Sequence, residues 1–176
     1  MNNIHPRNQT SPNYSRTCPV ALSHPSSRES ITGLAIIDDQ AGMTFVDPMI
    51  QKALKLPLES MEATMQGTIT IEGESLAKPC HIIRGLVVSP LDGKKKIDLP
   101  PAIMQNKIPD AWDQVPSRRE VENTPGFRGY GKYFPEKKNH WPTIALIGRD
   151  CMRAQFQKQY SSLKSPDQLI SKTPLG

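Results

Sequence analysis

The sequence predicts a mostly-β domain, a closed or partly closed barrel of short strands with one or two short helices. Three observations predict it. Short apolar, partly β-branched runs stand at Leu34-Ala35-Ile36-Ile37, Leu86-Val87-Val88 and Ile144-Ala145-Leu146-Ile147. Pro90-Leu91-Asp92-Gly93 is a strong hairpin turn, because Asp-Gly tolerates positive φ. The 17 prolines interrupt every long stretch, which excludes a coiled coil.

Composition narrows the classes further. The 176 residues suffice for one domain and are thin for two. Lys and Arg total 22 against 17 Asp and Glu, a mild +5 that permits nucleic-acid contact without demanding it. No run of about 18 apolar residues exists, so no membrane helix is expected. Cys18, Cys80 and Cys151 are too few for a disulfide scaffold, and no Cys/His spacing suggests zinc. Neither a metal nor a cofactor is expected. Without a signal-peptide core the default compartment is the cytoplasm.

Residues 1–30 hold six Ser, four Pro and four Asn, and are expected to form a disordered tail. Residues 161–176 read the same way, which leaves 31–160 for the domain. A strand over 31–37 is followed by a turn at Asp38-Asp39-Gln40-Ala41-Gly42 and by Thr44-Phe45-Val46. Asp47 can cap a helix over 48–54, with Pro48 at its first position and Met49, Ile50, Ala53 and Leu54 on one face. From Glu62 the period becomes two: Met65, Gly67, Ile69 and Ile71 alternate with threonines and Gln66, and Glu72-Gly73-Glu74 is a turn. A strand over 81–89, the Asp92-Gly93 turn and a return strand over 96–103 follow. Pro100 and Pro101 confine the return strand to an edge or an end. Residues 105–142 form a long irregular Pro-rich insertion. After the strand at 144–147, Asp150 is expected to cap a last helix over 151–160.

Two places repeat one pattern, an apolar strand ending in a sharp turn with a carboxylate. One is Ile36-Ile37-Asp38-Asp39-Gln40-Ala41; the other is Leu146-Ile147-Gly148-Arg149-Asp150. An acid in such a place is ordinarily a turn or cap residue. Together, in this order and with a hairpin between them, they resemble a retropepsin-like aspartic peptidase. The first resembles that family's apolar-Asp-Ser/Thr-Gly-Ala/Ser-x-x-Thr/Ser-apolar motif, with Thr44 at the second hydroxyl position. The second resembles its apolar-apolar-Gly-Arg-Asp/Asn motif. The likeness is nearest to the peptidase domain of BEL/Pao-type retrotransposon polyproteins, in which an Asp-Asp-Gln-Ser turn and a Pro-rich stretch before the second motif also occur.

The resemblance implies a single-lobe acid-protease barrel and an endopeptidase acting on a peptide or polyprotein. Asp38 would be the catalytic carboxylate, with Asp39, Gln40 and Ala41 in the active-site turn. One chain supplies one such Asp, so the site requires a homodimer. Two carboxylates held close cannot both ionise: one takes a proton from water, the other polarises the scissile carbonyl. The flap is expected at Glu72, Gly73 and Glu74, with the Asp92-Gly93 hairpin as competitor. Arg149 would pack beneath the site and pair with a carboxylate, flanked by Gly148 and Asp150. Asp39 stands where the family has Ser or Thr, and Gln40 where it has Gly. Two copies of Asp39 add two carboxylates beside two that already repel, unless they protonate or find cations.

Two alternatives remain. One is the same fold acting as a dimerising or binding module without turnover. The other is a nucleic-acid module using Gly126-Phe127-Arg128-Gly129-Tyr130-Gly131-Lys132-Tyr133-Phe134, where aromatics, glycines and cations interleave; otherwise those aromatics anchor the insertion to the core. His81 and His140 have no spacing for a metal or triad, and Lys94-Lys95-Lys96 reads as a solvated turn.

Overall fold

A computed structural model describes residues 16–63, 78–106, 108–124, 126–134, 136, 140–156, 159–162 and 169–175. The protein is mostly β, a curled nine-stranded sheet forming half a barrel, with few helices. The first four strands are β1 (Thr17–Ser23), β2 (Ser30–Ile37), β3 (Phe45–Val46) and β4 (Glu59–Ala63). The next five are β5 (Lys78–Ile83), β6 (Val87–Pro90), β7 (Ile97–Asp98), β8 (Ala102–Met104) and β9 (Thr143–Ile147). Their order across the sheet is β4-β5-β8-β3-β9-β2-β1-β6-β7. A separate hairpin pairs β10 (Gln159–Ser162) with β11 (Leu169–Lys172).

The expected tail at 1–30 is corrected from Arg16 onward. β1 alternates Cys18, Val20 and Leu22 into the core with half-buried residues between them. That period of two offsets the ordering entropy that the Ser- and Pro-rich composition suggested would win. Pro19 fits because its partner Leu34 sends its own N–H to Pro142, away from β1. The proline nitrogen thus faces away from β2, just short of the β6 pairing that begins at Val20. The expected tail at 161–176 is corrected too: β11 lies within it, and Thr173 and Leu175 are buried.

Helix α1 (Met49–Leu54) starts one residue later than expected, with Pro48 at its N-cap rather than its first position, while Asp47 Oδ1 still accepts the Met49 N–H at 2.8 Å. Its buried face is narrower than expected: Ile50 and Leu54 are buried, Met49 is half-buried and Ala53 is exposed. The Asp92-Gly93 turn joins β6 to β7, closed by Gly93 N–H to the Pro90 carbonyl. The alternation over 64–71 and the turn at Glu72, Gly73 and Glu74 lie outside the described residues.

Two expected strands are each divided. The segment at 81–89 breaks at Arg84-Gly85-Leu86 into β5 and β6, where Gly85 takes φ 74°. The segment at 96–103 breaks at Leu99-Pro100-Pro101 into β7 and β8. Each break carries the chain from one half of the sheet to the other, so both halves curl around one core. The insertion at 105–142 is not wholly irregular. It contains α2 (Arg118–Asn123), begun by a capping box in which Ser117 and Glu120 satisfy each other's backbone N–H. The final helix is shorter than expected: α3 (Met152–Gln155) ends five residues early.

Candidate active site

The site arises from a strand order that the chain order does not suggest. β2 and β3 are joined by the turn at 38–44, yet they do not pair with each other. β9 lies between them, parallel to β2 and antiparallel to β3. The residues that follow β9 therefore emerge directly against the turn that follows β2.

The resulting contacts are specific. Asp38 N–H bonds the Ile147 carbonyl at 3.0 Å, and Arg149 N–H bonds the Ala41 carbonyl at 2.9 Å. Thr44, fully buried, donates its hydroxyl to Asp150 Oδ1 at 2.7 Å and its N–H to Oδ2 at 3.0 Å. The same hydroxyl accepts the Gly148 N–H at 3.3 Å. Gly148 is required by space, because a Cβ there would strike the Met43 carbonyl. Asp150 was expected as a helix cap. It fastens the two motifs instead, and Cys151 stands at the α3 N-cap without a side-chain bond.

Within the turn, Asp38 Oδ1 accepts the Gln40 N–H at 2.8 Å, which fixes the carboxylate toward its own loop. Asp38 is half-buried, whereas Asp39 and Gln40 are exposed. The Gln40 amide lies 3.5 Å from Asp39 Oδ1. Arg149 is corrected in part. Its backbone joins the motifs, but its guanidinium is exposed over Gly42 and makes no ion pair among the described residues. The cation that does reach a site carboxylate is Arg16, with Nη1 3.2 Å from Asp39 Oδ2.

Three further residues belong to the site. Gln155, buried on α3, donates its amide to the Asp38 carbonyl at 3.1 Å and lies 3.3 Å from the Ile147 carbonyl. Thr44 was visible as the second hydroxyl of the motif. Arg16 and Gln155 left no sequence signal, since each acts across more than a hundred residues or through a strand read as tail.

The remaining candidates are placed elsewhere. Burial pushes the Cys18 and Cys151 thiols up, so neither is a ready nucleophile. His140 Nε2 lies 3.0 Å from Asp110 Oδ2, with the Trp112 ring 5.6 Å from the imidazole. His81 Nδ1 lies 3.2 Å from the Ser60 hydroxyl. No group of three or more His, Cys, Asp or Glu able to hold a metal occurs among the described residues. In the aromatic loop, Tyr133 carries Lys132 5.0 Å and Lys172 6.0 Å from its ring centre. Gly129 N–H is held by Glu122 at 2.9 Å, which fastens the loop to α2. No helix of the described residues is long and apolar enough to cross a membrane. No protein-family model matches the sequence, and no curated protein matches it.

Proposed function

We propose that the chain is a retropepsin-like aspartic endopeptidase, of the kind that processes retrotransposon polyproteins, active as a homodimer. One observation carries the reading: β9 inserts between β2 and β3 and thereby clamps Gly148-Arg149-Asp150 onto the Asp38 turn. An ordinary turn acid needs no second motif, about a hundred residues away, joined to its turn by five hydrogen bonds. In the dimer, Asp38 of each copy faces the other and the two share one proton. The ionised carboxylate takes a proton from water as the water oxygen attacks the amide carbon. The protonated partner hydrogen-bonds the carbonyl oxygen, and the acquired proton leaves with the amine. The elements that build the site also leave Met43, Met152 and Phe156 exposed, at 43, 67 and 65%. Apolar side chains at that exposure are suited to cover by a second copy.

The test is hydrolysis of an unstructured protein such as casein between about pH 3.5 and 7, across protein concentrations. Activity should rise more than linearly with concentration and vanish in Asp38→Asn. A folded dimer without activity would favour the second reading, a dimerising module, for which the exposed Asp39 and Gln40 in place of hydroxyl and glycine speak. Activity surviving in Asp38→Asn would sink the aspartic mechanism.

A further inference from the structure

Asp39 stands where the resembled family has a neutral hydroxyl, and its carboxylate has a cation to itself. Arg16, the residue before β1, brings Nη1 to 3.2 Å from Asp39 Oδ2. Its Nη2 approaches the Gln155 carbonyl at 3.4 Å, and Gln155 in turn holds the Asp38 carbonyl. The Arg16 Nε is buried with no hydrogen-bond partner among the described residues. The guanidinium thus reaches the turn from the core side, at 33% exposure against 63% for Asp39. Among the described residues, the charged groups on neighbouring elements include Arg149 and Asp150 after β9, Arg153 on α3 and Lys172 on β11, next to the Thr173 that lies against Cys18. Thr44 holds Asp150, while Arg149 and Arg153 are exposed and make no ion pair among the described residues.

We propose that Arg16 is a positioning residue of this site: it neutralises Asp39, so that among the described residues Asp38 is the one carboxylate of the 38–44 turn without a cation to pair with. The inference rests on the peptidase reading for its consequence, though not for its measurement. A pair this exposed adds little to stability. Its effect is on charge. With Arg16 in place the turn carries one net negative charge, as an Asp-Ser or Asp-Thr turn would. Without Arg16 it carries two, doubled again across the dimer axis.

The experiment is a carboxyl NMR titration of Asp38 in the full chain at low salt. A like charge left unneutralised beside a carboxylate disfavours its ionised form and raises its midpoint. Arg16→Gln should therefore move the Asp38 midpoint up, and Arg16→Lys should keep it close to the parent. Asp39→Asn should move the midpoint down, and the double variant should return it close to the parent. An unmoved midpoint in Asp39→Asn, an exposed site where folding is not at risk, would overturn the proposal. Casein hydrolysis, run in parallel with Asp38→Asn as control, separates the two ideas. Shifts without hydrolysis would leave Arg16 in its role and remove the peptidase. Hydrolysis without shifts would do the reverse.

Discussion

Thr44 spends its hydroxyl twice, donating to Asp150 and accepting from Gly148, and it is sealed from water while doing so. Thr44→Val keeps the shape and deletes both bonds, leaving one carboxylate oxygen and one N–H short of a partner. The expected cost is about 1–3 kcal/mol, read from the urea midpoint. If the proposed peptidase activity is found, a larger loss of it than the stability change explains would show that the motifs have moved apart. Asp110 offers a pH test at the same scale. The Trp112 backbone N–H, and then His140, hold its carboxyl below the usual range. Its stabilising contribution is therefore present above the unfolded pKa and lost as pH falls through the folded one. Asp110→Asn should lower the urea midpoint at pH 7 and leave it nearly unchanged at about pH 2. The pair is mostly exposed, so the effect is small.

At the scale of elements, β1 decides most. Leu22 is fully buried between the pairings to β2 and β6, so Leu22→Ala should cost about 2–5 kcal/mol. If residues 17–23 were a tail, that change would cost nothing. The apolar alternation Cys18-Val20-Leu22 was present in the sequence, but Pro19 and the Ser-rich flanks masked it. The capping box at Ser117 and Glu120 was equally legible, as Ser-x-x-Glu, inside a stretch whose prolines argued against any helix. Ser117→Ala should cost about 1 kcal/mol, measurable by thermal unfolding. The strands at 31–37 and 144–147, the Asp47 bond at the head of α1 and the Asp92-Gly93 turn were readable because local chemistry alone sets them. The breaks at Gly85 and at Pro100 were not, because each is set by which half of the sheet the chain must reach next.

For the whole molecule, the sequence motifs marked both halves of the site, and their junction followed only from topology. Nothing local in residues 38–44 announces that β9 will lie beside them. The proposed dimer is open to test at this scale. Phe156→Ser, at an exposed position, should leave the fold intact and weaken self-association by about tenfold in sedimentation. Peptidase activity should then be lost at low concentration and recovered at high concentration. A dimer indifferent to Phe156, Met152 and Met43 would move the interface to another face.

The insertion of β9 between β2 and β3 also sets a timetable. The two outer strands leave the ribosome long before the strand that separates them, so the edge that each turns toward the other has no native partner until residues 143–147 emerge, although β1 and β8 can already hold their far edges. Until then the Ile147 carbonyl, the Arg149 N–H and the Asp150 carboxylate do not exist for the turn to bind. The order of synthesis therefore works as a delay, with the acid-bearing loop assembled only after nearly all of the sheet has been made.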